Sequence, residues 1–191
     1  MDSENMRRKR TCCGFSLVEL LIVMAAVSVM AAVSVPLVHR TLKTYRVAGD
    51  ARGISHTLTL AKMRAASNFT LEKVEWDSSS KTFAVKSFHK NLALGGYNGQ
   101  FEADGSVPNV NLSSGISLGT PSDGASTTVG GDSSNIVFNS RGLPVDATSF
   151  DPVTTAQALY FNNGTDYYAV SIAVSGRIQI WKYNDSAWMG Q

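Results

Sequence analysis

The chain has 191 residues, enough for one domain of ordinary size plus an appendage, and its formal net charge is only +2. Its two cysteines, Cys12 and Cys13, are adjacent, which leaves no basis for an intrachain disulfide framework or a cysteine-based zinc site. The charge is unevenly placed: Arg7, Arg8, Lys9 and Arg10 oppose only Asp2 and Glu4, and without residues 1–14 the 17 basic and 15 acidic residues become 13 of each. A chain so balanced has no bulk electrostatic attraction to nucleic acid.

After the basic block, residues 15–35 read FSLVELLIVMAAVSVMAAVSV, 21 residues with a single charge, Glu19. As a helix this run spans roughly 32 Å, the thickness of a bilayer's hydrocarbon. The basic block before it predicts a cytoplasmic N-terminus and a translocated C-terminal domain. A secretory signal peptide and a plain signal anchor are competing readings. Ala26-Val27-Ser28 and Ala32-Val33-Ser34 offer small-x-small cleavage sites, but the run is long for a signal peptide. Neither competitor explains Glu19.

A carboxylate near the start of an apolar helix costs at least a few kcal/mol at membrane depth unless it snorkels to the interface or finds a partner. A cut between Gly14 and Phe15 would create that partner, a new α-ammonium on Phe15 that can meet a neighbouring subunit's Glu19. Such a pair would relieve both desolvation costs and fix the axial register of packed helices.

The run Gly14-Phe15-Ser16-Leu17-Val18-Glu19 resembles the type IV prepilin motif. The resemblance implies cleavage after Gly14 by a dedicated prepilin peptidase, which also N-methylates Phe15. It further implies an inner-membrane precursor with its head in the periplasm, later assembled with other pilin or pseudopilin subunits. Pro36 also fits the pilin pattern, as the place where the helix kinks or melts inside a filament. Its missing N–H removes one helix hydrogen bond wherever it sits.

Beyond Pro36 the pattern becomes amphipathic. Val47, Ala51, Ile54, Leu58, Ala61 and Ala65 recur at helical spacing, with the charged residues mostly elsewhere around the axis. This predicts a helix that ends near Ser67-Asn68. The expected organisation is a leader at 1–14, a transmembrane and assembly helix at 15–35, an amphipathic helix at 36–68, and a β-rich head at 69–191. The fold class is α+β, with a long N-terminal helix packed on an antiparallel head.

Within the head, residues 71–76 and 82–88 alternate around Asp77-Ser78-Ser79-Ser80-Lys81 and read as a hairpin. Residues 89–134 are rich in Gly, Ser, Thr and Asp and read mainly as loops, with a short strand pair from 110–112 and 116–118. Clearer strands lie at 135–139, 158–161, 167–174 and 178–183. Trp181 and Tyr183 share a face of the last strand and are expected in the core, whereas Trp188 is expected at the surface. The segments Phe138-Asn139-Ser140-Arg141-Gly142 and Ser175-Gly176-Arg177 resemble the C-terminal half of the GspH/FimT family of minor pseudopilins and minor pilins, found at or near filament tips.

Histidines 39, 56 and 89 are scattered, without metal-ligand spacing, and no cofactor fingerprint or nucleophile elbow occurs, so no enzyme is expected. Asp123, Asp132, Asp146 and Asp151 lie in loops but match no calcium-binding loop pattern. Some pilus-type relatives in the family bind DNA during natural transformation through a glycine-arginine-x-arginine motif, so a DNA-binding minor pilin is one alternative, and a major structural pilin is another. Gly176-Arg177-Ile178-Gln179 lacks its second arginine, so a nucleic-acid contact through Arg177, Lys182 and Arg141 is the weaker alternative to a structural turn.

Overall fold

The computed structural model describes residues 16–91, 96–103, 105, 107–121, 129–184 and 187–191. One helix, α1 (Leu17–Ser67, 51 residues), is followed by strands β1 (Glu72–Asp77), β2 (Thr82–Asn91), β3 (Gly96–Ala103), β4 (Val110–Asn111) and β5 (Ser117–Leu118). Then come β6 (Gly131–Asp132), β7 (Asn135–Phe138), β8 (Pro144–Val145), β9 (Gln157–Asn162), β10 (Tyr167–Ile172), β11 (Ile178–Asn184) and β12 (Ala187–Gly190). The expected α+β architecture is present: one long N-terminal helix and a head whose strand pairs are antiparallel, except that β6 runs parallel to β9. The chain forms two compact units, Met1–Thr41 and Leu42–Gln191.

In the second unit the helical stripe read from sequence is the core face of α1. Val47, Ala51, Ile54, Leu58, Ala61 and Ala65 are all fully buried. Gly53 lies on this packed side, where an added Cβ would touch Val110 Cγ1 at 3.5 Å, so β4 approaches the helix backbone closely. The helix ends on a left-handed residue: Thr70 N–H donates to the Ala65 carbonyl at 3.2 Å and Phe69 takes φ +50°. Glycine is the usual occupant of that position.

The strands form two sheets. One is ordered β3-β2-β1-β7-β8, with β4 on β2; the other is β12-β11-β10-β9-β5, with β6 on β9. Both sheets meet the helix in one core, where Val74, Phe83, Ile136 and Phe138 of the first join Leu159, Phe161, Val170 and Ile172 of the second. Period-two alternation sends Ala158, Tyr160 and Ala169 to the other face of the second sheet, where they form a smaller apolar cluster with Val129, Trp181 and Trp188. The Tyr160 hydroxyl donates to the Gly130 carbonyl at 2.6 Å. Burial, reinforced by the Asp132 charge, pushes its pKa up to about 12.

Three expectations for the head change. Residues 110–112 and 116–118 do not pair with each other: β4 pairs with Thr82 and Phe83 of β2, and β5 pairs with Phe161 and Asn162 of β9. The bend between them therefore carries the chain from one sheet to the other. The glycine-rich stretch 96–103, read as loop, forms strand β3, paired antiparallel with β2. Trp188 is half-buried rather than exposed, because β12 folds back on β11 and places it 5.5 Å from the Tyr160 ring and 5.1 Å from the Tyr183 ring. Trp181 and Tyr183 are half-buried in this outer layer, and Trp181 Nε1 donates to Ser171 Oγ at 2.8 Å.

The predicted hairpin forms in register from Glu72↔Ser87 to Asp77↔Thr82. Its turn is held by the Asp77 carboxylate, which accepts from Ser79 N–H at 2.9 Å and Ser80 Oγ at 2.7 Å. Donation from Ser79, then Ser80, holds that carboxyl far below the usual range. Lys81 closes the turn at φ +54°, fully on the surface. A left-handed conformation costs a non-glycine residue about 1–2 kcal/mol, partly offset in Lys81→Gly by greater freedom of the unfolded chain. Lys81→Gly is therefore expected to raise head stability by about 0.5–1 kcal/mol, read as a higher urea midpoint with unchanged slope. A lower midpoint would show that the turn is not strained.

Candidate assembly segment

Of the sequence-predicted site residues, Gly14 and Phe15 lie outside the described residues, as do Cys12 and Cys13 and the basic block. The described structure opens at Ser16, whose carbonyl accepts the first intrahelical bond, from Leu20 N–H at 3.1 Å. Ser16 is thus the N-cap of α1 and Glu19 falls at its third residue, the spacing of a capping box. A carboxylate in the first turn also meets the positive end of the helix dipole. Ser16-Leu17-Val18-Glu19 spells the capping-box pattern, a local reading that sequence reasoning missed.

From Leu17 to Val35 every side chain is exposed, and apolar residues such as Leu20, Ile22, Met24, Val29 and Val33 surround the whole axis. A helix apolar all round needs lipid or other helices as its surroundings. Its one interior hydroxyl bond of this kind is Ser28 Oγ to the Met24 carbonyl at 2.8 Å, so that polar group is satisfied within the helix itself. Length and composition alone suit this stretch to crossing a bilayer. The backbone remains helical through Pro36.

In the head, two turns that carry the second sequence motif are brought together. Asn139 organises one of them: its Oδ1 accepts from Arg141 N–H at 2.9 Å and Leu143 N–H at 3.1 Å. Gly176, at φ +77°, closes the other, with its N–H donating to the Ala173 carbonyl at 2.7 Å. The backbone of Gly176 presses on the Gly142 carbonyl so closely that no Cβ fits between them. Lys62 of α1 lies along Gly142 and donates from Nζ to the Gly176 carbonyl at 2.8 Å. The helix therefore clamps both turns.

Arg141 and Arg177 are exposed on these adjacent turns, and Arg177 donates to Gln179 Oε1. Lys182 is not beside them. It sits five residues along β11, about 17 Å away in an extended strand. There Asp166 approaches it at 3.7 Å and the Tyr168 ring lies 5.8 Å from Nζ. The three cations proposed for a nucleic-acid contact are thus split between a turn pair and a separate, already paired lysine.

A concavity of about 400 Å³ lies where α1 ends and is walled by Phe69, Leu71, Phe88, Asn139 and Phe150. Its walls carry no titratable side chain that could serve as a general acid or base. Among the described residues no group of three or more His, Cys, Asp or Glu is placed to hold a metal. Asp123 lies outside the described residues; Asp146 is tied up within its own turn, accepting from Thr148 and Ser149 N–H at 2.8 and 2.9 Å.

Residues 9–35 match the family model of the prokaryotic N-terminal methylation motif. The motif spans the apolar segment, Glu19, and the Gly14-Phe15 bond. Among solved structures, the chain is similar to the minor pseudopilin EpsH from the type 2 secretion system of Vibrio cholerae. That match has 14% identity and a TM-score of 0.42, covering 68% of this chain and 91% of that one. It is also similar to the type IV minor pilin FimU of Pseudomonas aeruginosa, at 14% identity and a TM-score of 0.47, covering 81% and 97% of the two chains. No curated protein sequence matches the chain significantly.

Proposed function

We propose that the chain is a structural subunit of a type IV pilin-like filament, made as a membrane-anchored precursor and cut between Gly14 and Phe15. The observation that carries this reading is the methylation motif lying on a helix apolar around its whole circumference, with one carboxylate in its first turn. In a lone anchor Glu19 could serve only the start of its own helix, whereas a bundle of such helices also gives it the Phe15 ammonium of a neighbour. In this reading residues 1–14 are a leader and 15–35 drive both membrane retention and helix packing. Pro36 marks where the helix yields in the filament, and the β-rich head presents surfaces to other subunits.

The finer part of the proposal is that this is a minor subunit, at or near the tip of a type II secretion pseudopilus or a type IV pilus. It is supported by the paired turns at Gly142 and Gly176 that carry the GspH/FimT-like sequence, and by a head that closes its core without a disulfide. The clamp by Lys62 also gives Gly176-Arg177 a structural role that needs no nucleic acid.

The test is the mass of the mature chain. When a prepilin peptidase is co-expressed, the N-terminal peptide is expected to begin at Phe15 and to be one methyl group heavier than the unmodified sequence. An intact N-terminus in the presence of active peptidase would overturn the proposal in favour of a signal anchor. Cleavage after Ser28 or Ser34 would overturn it in favour of a secreted domain.

A further inference from the structure

The head carries a small cationic cleft with no role in the assembly reading. Lys43 and Arg46 of α1 form one wall; Ser114, Gly115, Ile116 and Asn163 form the others, around a volume of about 90 Å³. That is room for a small oxyanion, well below the size of an ordinary metabolite pocket. The two cations are three residues apart on the helix and so share a face.

Among the described residues neither cation has a carboxylate partner, and the reason is visible. Asp50 has the helical spacing to pair with Arg46, but its two oxygens accept from Ser113 N–H at 2.8 Å and Ser113 Oγ at 2.9 Å. Asp166, beside Asn163, accepts from Thr44 Oγ1 at 2.8 Å and faces Lys182 at 3.7 Å. Both acids direct their oxygens to other donors, so neither forms an ion pair with Lys43 or Arg46.

Next to this charge runs an exposed apolar stripe. Leu42 and Tyr45 lie three residues apart on one side of the helix, 44% and 70% exposed. Tyrosine beside lysine and arginine is the composition of a membrane interface, where aromatic rings sit among headgroups and long cationic stems reach back to phosphates. Eight residues of chain separate Lys43 from Val35, which bounds their distance at about 30 Å however the chain runs.

We propose that Lys43 and Arg46 hold the phosphate of an anionic phospholipid headgroup, seating the head on the membrane surface before assembly. This rests on reading residues 15–35 as the membrane-spanning segment. The ligand chemistry is an anionic phosphate, and the source inferred is lipid because Leu42 and Tyr45 would lie against the same lipid's glycerol and upper acyl chain.

The experiment uses the full chain in detergent micelles, with lipid retention read by native mass spectrometry against added phosphatidylglycerol or phosphatidylcholine. A lysine or arginine near an anionic surface is worth about fivefold in binding, so K43Q/R46Q is expected to weaken phosphatidylglycerol retention about 30-fold and each single variant about fivefold. Phosphatidylcholine retention should not change, and K43R/R46K should behave as the parent. Equal weakening by Arg52→Gln, an exposed cation elsewhere on the helix, would reduce the effect to general charge and overturn the proposal. So would unchanged retention in K43Q/R46Q. Displacement of the lipid by equimolar inorganic phosphate would overturn it in favour of a free-phosphate site. Flotation of the same chains on phosphatidylcholine vesicles separates the two readings: failure to float would sink the membrane-spanning segment, whatever the cleft does.

Discussion

Gly176→Ala is expected to destabilise the head by about 3–4 kcal/mol, a large share of the stability of a domain this size. Two costs combine. The residue sits at φ +77°, where a side chain adds about 1–2 kcal/mol of backbone strain. An added Cβ would also overlap the Gly142 carbonyl oxygen, a backbone atom held by the Asn139 turn, so the two turns must separate by roughly 1 Å. Separation would break the bond from Lys62 Nζ to the Gly176 carbonyl and loosen the clamp of α1 on both turns.

Two companion variants divide these costs. Gly164→Ala has φ +88° and open space around the new Cβ, so it carries the backbone strain alone, about 1 kcal/mol. Gly142→Ala, at φ +74°, meets only the flexible Lys62 stem, nearest at Cε 3.0 Å, and should fall between the other two. Urea unfolding of the full chain in detergent, followed by tryptophan fluorescence, gives the ranking. Equal losses at Gly164 and Gly176 would mean that the turns do not press on each other, and that the clamp contributes nothing to stability.

How much of this was legible in the sequence depended on the range of the interaction. The helix stripe from Val47 to Ala65 was readable because a 3.6-residue period is a local signal, and all six positions proved fully buried. The hairpin around Asp77 was readable for the same reason. What failed was partner choice. Val110 and Leu118 flank a tight bend and look like a local pair, yet one strand serves β2 and the other β9, a choice made by the tertiary core. Trp188 was misplaced because a single aromatic in a polar tail carries no period, and only the return of β12 shows that Tyr160 lies beneath it.

Glu72 is the instructive middle case. It is fully buried, with Ser87 Oγ 2.8 Å from both carboxylate oxygens. Strict alternation from Val74 and Trp76 would have put it on the core face, but its charge argues for the surface. The same tension applies to Glu19, where alternatives of different range coexist. The capping box is local and readable from four residues, whereas the intersubunit pair depends on a cut at Gly14 and a second chain.

These two roles of Glu19 predict different outcomes for Glu19→Gln, which separates them. Glutamine can replace glutamate in a capping box and keeps nearly the same volume, so the helix start should survive with a loss of at most about 1 kcal/mol of dipole interaction. The charge, however, is gone. N-methylation leaves the Phe15 amine cationic, so in a packed bundle Glu19→Gln would strand a buried ammonium without its counterion. Breaking a buried pair by removing one partner costs about 3–5 kcal/mol, which lowers incorporation into filaments by two orders of magnitude or more. The expected result is a subunit that is cleaved and methylated normally, accumulates in the membrane fraction, and is depleted over a hundredfold from sheared filaments relative to the parent. Glu19→Asp, one methylene shorter but still charged, should retain part of the incorporation. If Glu19→Gln enters filaments as the parent does, the carboxylate serves only to start α1, and register between subunits must come from the fit of the apolar helices alone.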